Sequence, residues 1–117
     1  MNFIVLASGR GSRLNELTKN KPKCLTVVRN KKTILDYITL NFDKSDNAII
    51  STGYKANLIE KHLAGKSINY VRNKNFLNTN MVESLMLCKK KLRNGNLVII
   101  YGDIYFDQKI IKKLKKI

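Results

Sequence analysis

Phe3-Ile4-Val5-Leu6-Ala7-Ser8-Gly9-Arg10-Gly11-Ser12-Arg13, near the start of the 117-residue chain, is the stretch whose reading decides the fold. A short apolar run that passes at once into two glycines one residue apart predicts a buried strand feeding a loop. Glycine adds no side chain and tolerates φ > 0, so such a loop brings its backbone close to an anion and turns its N–H groups into an anion-binding nest. Arg13 can add a bidentate, charge-assisted contact to a terminal phosphate, and Lys23, behind Pro22, a mobile point charge. Together they read as a grip for a nucleoside triphosphate. Gly9-Arg10-Gly11 by itself is more often a tight turn. It is not the dinucleotide fingerprint, which wants a third glycine where Leu14 stands, and the Gly-Lys-Ser/Thr of the P-loop is missing. The weight lies in the composite of strand, small residues, Gly-x-Gly-Ser-Arg and Pro22-Lys23.

Working outward, strands and helices alternate. Phe3 to Ala7 is a strand, Leu14 to Leu17 a short helical turn, Leu25 to Val28 an apolar piece, and Asn30-Lys31-Lys32 a polar turn. Thr33 caps a helix from Ile34 to about Phe42, with Ile34, Leu35, Ile38 and Phe42 at helical spacing. Ala48 to Ser51 is a buried strand ending at Gly53, and Tyr54 to Leu63 a helix closed by Ala64-Gly65. Ile68 to Val71 is a strand, Asn80 to Leu92 a helix, Leu97 to Tyr101 a strand and Gln108 to Lys116 an amphipathic helix. This order predicts an α/β fold: a doubly wound, mostly parallel sheet with helices on both faces. Ligands of such sheets lie beyond the carboxyl ends of the strands. The glycine loop, Gly53-Tyr54, Asn78-Thr79-Asn80 and Gly102-Asp103 all fall at those ends.

With 44% hydrophobic residues the chain is long enough for one domain, 1–117. It has no run of eighteen apolar residues, and its first apolar stretch leads into glycine and arginine instead of a cleavage site, so a cytoplasmic protein without membrane attachment is expected. Cys24 and Cys88 stand far apart with a single histidine, His62, which argues against a zinc site or a disulfide framework. Both read as reduced thiols, and His62 as a surface residue. The 23 Lys+Arg against 8 Asp+Glu give +15, which favours polyanions in general. Nucleic acid is the weaker reading: the lysines are dispersed, and aromatic residues do not alternate with basic ones as a base-stacking platform requires. Lys109, Lys112, Lys113, Lys115 and Lys116 read as the solvated face of the last helix.

A carboxylate at the end of an apolar strand, after a glycine that admits close approach, suits Mg²⁺ held against triphosphate oxygens, which singles out Asp103. Asp107, just before a helix, reads as a cap. Asn80, with Asn78 and Thr79 before a helix, reads as a cap. Tyr54 either lines the same pocket or packs, and Glu83 and Ser84 read as ordinary helix residues.

Leu6 to Leu14, continued by Lys21-Pro22-Lys23-Cys24-Leu25, resembles the opening motif of the sugar-phosphate and phosphocholine-type nucleotidyltransferases. The resemblance extends to Ser51-Thr52-Gly53-Tyr54, to Asn78 through Leu85, which is similar to the cytidylyltransferase-like branch, and to Tyr101-Gly102-Asp103-Ile104. It implies a Rossmann-like nucleotidyltransferase fold and an Mg²⁺-dependent enzyme that moves a nucleoside monophosphate, CMP from CTP first, onto a small phosphorylated acceptor such as phosphocholine or a sugar phosphate. The roles carried over are Leu6 and Ala7 at the nucleoside, Gly9, Gly11 and Ser12 in the phosphate cradle and Arg13 at the β- and γ-phosphates. Lys23 goes to the α-phosphate or the attacking phosphate, Asp103 to the metal, and Tyr54 and Asn80 to the acceptor. Members of that family are longer, so the chain reads as its N-terminal part, lacking a second metal-binding aspartate and exposing an apolar sheet edge that invites association between copies. A non-catalytic nucleotide-binding remnant is the alternative, and a basic nucleic-acid-binding module the third reading.

Overall fold

Two alternating stripes of apolar side chains on one central strand organise the molecule. A computed structural model describes residues 1–8, 21–76, 80–107 and 109–117. Its elements in chain order are β1 (Asn2–Ala7), a 3-10 turn (Lys23–Leu25), β2 (Val27–Arg29), β3 (Lys32–Thr33), α1 (Ile34–Thr39), β4 (Asn47–Thr52), α2 (Ala56–His62), β5 (Asn69–Arg72), α3 (Met81–Leu87), a 3-10 turn (Lys89–Lys91), β6 (Leu97–Tyr101) and α4 (Lys109–Lys115). Four strands pair in parallel in the order β5-β4-β1-β6. β2 and β3 form a separate antiparallel hairpin whose Asn30 and Lys31 both have positive φ, as a two-residue type I′ turn demands.

Successive residues of a strand face opposite sides. Phe3, Val5 and Ala7 of β1 therefore join Ile34, Leu35, Ile38, Ile59, Leu63 and Ile111 from α1, α2 and α4 in one cluster, with Ile50 and Ile100 from β4 and β6. Ile4 and Ile49 face the other way, onto Leu85 and Cys88 at α3. Helices thus cover both faces, which is why β1 and β4 are buried along nearly their whole length. β6 lies at the edge, and Leu97, Ile99 and Tyr101 on its α3 side remain 41%, 43% and 45% exposed.

Several helices are shorter than their apolar periodicity predicts. α1 stops at Thr39 instead of Phe42 because side chains take over its last carbonyls: Thr39 Oγ1 donates to Leu35 O at 3.0 Å, and Asn41 Nδ2 to Tyr37 O at 3.0 Å. Phe42 still reaches the core, stacked on Phe3 at 4.6 Å. α2 begins at Ala56, after Lys55 at φ 51, and not at Tyr54. α3 ends at Leu87 and tightens into the 3-10 turn, whose Lys91 carbonyl accepts a hydrogen bond from Asn47 Nδ2 at 2.8 Å. That bond belongs to a line of asparagine side chains across the amino ends of three strands. Asn47 Nδ2 also donates to Asn2 Oδ1 at 2.8 Å, and Asn69 Nδ2 to Asn47 Oδ1 at 3.2 Å. Asn2 closes the line on the Arg93 main chain, donating to its carbonyl at 2.9 Å and accepting its N–H at 3.0 Å.

The last helix departs from a purely solvated lysine face. Lys115 Nζ reaches Asp46 at 2.6 Å, Asp43 at 3.4 Å and the Asn41 carbonyl at 2.6 Å, and so ties α4 to the turn before β4. Asp107 takes the capping role read for it, Oδ1 accepting the Lys109 N–H at 2.9 Å. His62, read as a surface residue, bridges two helices: its Nε2 lies 2.8 Å from Asp36 Oδ1. Among the described residues no helix is long and apolar enough to cross a membrane.

Candidate active site

Strand order places the site. The chain leaves β1 toward β4 and β5, then returns to add β6 on the other flank of β1. The switch point is therefore at the carboxyl ends of β1 and β6, where ligands of such sheets bind. Leu6 pairs with Tyr101 there, and Gly102 N–H donates to Leu6 O at 3.0 Å. A Cβ on Gly102 would stand 3.0 Å from that carbonyl and 3.3 Å from Ala7 Cβ. Glycine is what lets the chain turn this closely over β1 and set Asp103 beside it.

A cleft of about 260 Å³ opens at this point, lined by Leu6, Ala7, Ser8, Pro22, Lys23, Cys24, Phe76, Asn80, Met81, Ser84, Tyr101, Gly102 and Asp103. Leu6, Ala7, Lys23, Asn80 and Asp103 of the residues singled out by sequence are brought together around it. Gly9, Gly11, Ser12 and Arg13 lie outside the described residues, as do Asn78 and Thr79 and the Leu14–Leu17 turn. Tyr54 does not line the cleft. Its ring packs edge-on against Phe76 at 6.0 Å, and its N–H donates to Ser8 O at 3.2 Å.

Lys23 Nζ stands 3.5 Å from Asp103 Oδ2, with the two side chains 29% and 46% exposed. A contact that long and that wet contributes little to stability, so both groups can re-form contacts around an anion or a cation. Beneath them, burial pushes the Cys24 thiol up to about 12, which leaves it a neutral packing residue. Asn80 is a helix cap: Oδ1 accepts from Val82 N–H at 3.0 Å and Glu83 N–H at 3.3 Å, while Glu83 Oε2 accepts the Asn80 N–H at 2.7 Å. Its Oδ1 is thus committed to the helix, and only the amide end has room for a ligand.

Ser84, read as an ordinary helix residue, is 2% exposed and lines the cleft. Its Oγ is 2.8 Å from Ser8 Oγ and accepts from Asn73 Nδ2 at 3.0 Å. The signal was in the spacing: Met81, Ser84, Leu85 and Cys88 share one helical face, and a hydroxyl on a face that packs against a sheet needs partners.

This sheet order, with a cleft at the switch point, is that of the doubly wound nucleotidyltransferase class. The chain belongs to the family described as the MobA-like NTP transferase domain, which matches residues 3–116. It is 34% identical over 97% of its length to the CTP:phosphoglutamine cytidylyltransferase of Campylobacter jejuni subsp. jejuni serotype O:2 and covers 48% of that protein. The CTP:phosphocholine cytidylyltransferase of Streptococcus pneumoniae superposes with a TM-score of 0.77 at 32% identity, over 87% of this chain and 44% of that one. The inositol-1-phosphate CTP transferase of T. maritima gives 0.72 at 27% identity, over 97% and 47%. The chain therefore spans about half the length of these relatives.

Proposed function

We propose that these 117 residues form the nucleotide-binding part of a cytidylyltransferase that moves CMP from CTP onto a small phosphorylated acceptor, with release of pyrophosphate. The observation that carries the reading is the cleft at the ends of β1 and β6, where an ammonium group, Lys23, and a carboxylate, Asp103, meet at 3.5 Å over apolar Leu6 and Ala7. The names of the three relatives support it: each transfers from CTP, and each acceptor carries a phosphate.

In-line attack on an α-phosphorus demands positioning and charge neutralisation more than covalent help from the protein. Lys23 would hold the α-phosphate or the attacking phosphate, and Arg13, with Gly9, Gly11 and Ser12, the triphosphate tail. The donor set at Asp103 fits a hard cation. Its two carboxylate oxygens are half-exposed, and no cluster of three or more His, Cys, Asp or Glu occurs among the described residues. Mg²⁺ accepts such an arrangement, since it takes one or two carboxylates and fills its shell with phosphate oxygens and water. When bound it supplies charge neutralisation on the triphosphate.

The test is pyrophosphate release from CTP, UTP, TTP, ATP and GTP with Mg²⁺, offered with phosphocholine and a panel of sugar phosphates, beside a nucleotide-binding titration. Turnover with CTP supports the full reading. Binding of CTP without turnover favours a truncated or non-catalytic nucleotide-binding remnant. Absence of both, with steeply salt-dependent binding to nucleic acid instead, overturns it in favour of the charge-driven alternative.

A further inference from the structure

A second surface, away from the cleft, brings aromatic and basic side chains together. A groove of about 630 Å³ lies between the β2–β3 hairpin, α1 and the segment that leads into α4, and Arg29, Asn30, Tyr37, Tyr105, Asp107 and Lys109 are among its lining residues. None of them lines the cleft at Lys23 and Asp103. The aromatic part of the groove is braced. The rings of Tyr37 and Tyr105 meet edge to face, with centroids 5.3 Å apart and planes at 90°. Tyr37 is fixed in turn, because its hydroxyl donates to the Arg29 carbonyl at 3.0 Å and Lys32 Nζ stands 6.0 Å from its ring centroid. Tyr105 is 44% exposed. It therefore offers a flat ring whose orientation is set before a ligand arrives, and little side-chain freedom is lost when a second ring stacks on it.

Positive charge flanks that ring on both sides. Arg29, Lys31 and Lys32 are exposed on the hairpin, and Lys109, Lys112 and Lys113 on α4, where spacings of three and four place them on one face. None of these cations enters an ion pair among the described residues. Asp107 is the one acidic residue among those lining the groove, and its Oδ1 accepts the Lys109 N–H at 2.9 Å. A basic strip thus passes an exposed tyrosine on its way from hairpin to helix. The order of residues along the chain conceals it, because Tyr37, Tyr105 and the cations come from separate elements that meet only in the fold.

We propose that this groove binds a single strand of nucleic acid, with one base stacked on Tyr105 and the phosphates on either side of it held by the cations of the hairpin and of α4. An aromatic face between cations matches a strand in which every unit carries a ring and a phosphate, and the formal charge of +15 favours a polyanion over a lone nucleotide. An acidic peptide would satisfy the cations and leave Tyr105 without a partner. The inference goes beyond the cytidylyl-transfer reading and does not depend on it.

The test is fluorescence anisotropy of a labelled oligothymidylate of roughly eight nucleotides, titrated with the 117-residue protein at several salt concentrations. Tyr105→Ala is expected to weaken binding about tenfold, the worth of one stacked base, and Tyr105→Phe, which keeps the ring, to stay within about twofold of wild type. Replacing Arg29 and Lys109 together by glutamine lowers the slope of log affinity against log salt by about 1.4, or about 0.7 for each cation. Lys89→Gln with Lys90→Gln removes the same charge from the turn after α3, which covers the opposite face of the sheet from α1 and α4. At physiological salt this control leaves affinity within about twofold of wild type. Urea midpoints show that each variant is folded when titrated. Affinity that falls equally in the groove and control variants, with Tyr105→Ala unchanged, overturns the groove in favour of charge spread over the whole surface. Polyglutamate that displaces the strand as readily as unlabelled oligothymidylate overturns it in favour of an acidic peptide. A folded wild type that does not bind the strand overturns it outright, whatever the pyrophosphate assay gives.

Discussion

Replacing Gly53 by alanine tests how tightly β4, the end of β1 and the segment after β5 are fitted together. A Cβ at position 53 would meet Phe76 Cβ at 2.7 Å, Ser8 O at 2.8 Å and Phe76 Cγ at 3.1 Å. Carbon atoms ordinarily approach to about 3.5–4.0 Å, so the first contact is roughly 0.8 Å too close. Phe76 Cβ is fixed to its own backbone and has no rotamer that withdraws it, and Ser8 O is held by the Tyr54 N–H at 3.2 Å. Overpacking of this kind costs about 1–3 kcal/mol. Gly53 does not have positive φ, so alanine also stiffens the unfolded chain, which returns about 0.4–1 kcal/mol. The net loss is about 1–2 kcal/mol, or a melting point lower by roughly 5–15 °C for a domain near this size. Urea unfolding followed by circular dichroism reads it as a lower midpoint at unchanged slope. Gly65→Ala is the internal contrast: nothing lies within 4 Å of its Cβ, but φ is +89, so its loss of about 1 kcal/mol comes from the backbone alone. A Gly53→Ala protein as stable as the wild type, or more so, would refute the reasoning by showing that Phe76 and the end of β1 yield without cost.

Three further outcomes are expected. Lys23→Ala leaves the urea midpoint within about 0.5 kcal/mol of wild type, because its ion pair is long and solvated, while lowering triphosphate affinity about tenfold or more in a calorimetric titration; unchanged affinity would remove Lys23 from the phosphate role. Burial pushes the Asp36 carboxyl up, but hydrogen bonds from the Thr33 N–H, His62 and the Thr33 hydroxyl, with the His62 charge, outweigh it and hold the carboxyl below its ordinary range. A depressed carboxyl stabilises the fold above its unfolded-state value and loses that contribution as pH falls toward the folded-state one, so Asp36→Asn should flatten the decline in stability below about pH 4, and an unaltered acid limb would count against the pairing. Asn47→Ala removes a 4% exposed side chain that partners Asn2, Asn69 and the Lys91 carbonyl. Leaving those groups unpaired should cost about 2–3 kcal/mol, and a midpoint shift worth less than about 0.5 kcal/mol would show that water replaces the amide.

β1 was legible because it is buried on both faces and so reads as an unbroken apolar run from Phe3 to Ala7; Leu97 to Tyr101 reads the same way, although its α3 side stays exposed at the sheet edge. Helix ends were less legible. α1 and α3 stop where Thr39, Asn41 and Asn47 compete for carbonyls, and Asn47 is distant in sequence from the turn it terminates. At the site, Asp103 stood out because a carboxylate follows strand and glycine. Ser84 and Asn73 did not, since their importance comes from meeting each other and Ser8 across 11 and 76 positions. Lys115 was misjudged for the same reason: nothing in a lysine-rich helix marks the one residue that finds Asp46.

The row of asparagines has a consequence for how this protein can change over generations. It fastens β1, β4 and β5 at their amino ends, so a slip of one position between strands would break several amide contacts together. At the opposite rim, among the described residues, the side-chain link runs from Asn73 to Ser84 of α3 and on to Ser8, through a helix and not directly from strand to strand. Its described part is also shaped by Gly53, Gly102 and the Asn80 cap of α3. Mutational drift is therefore lopsided: substitutions at the carboxyl rim can retune which molecule is held while the strands keep their alignment, and the amino rim admits little variation without unravelling the register on which every ligand-facing turn depends.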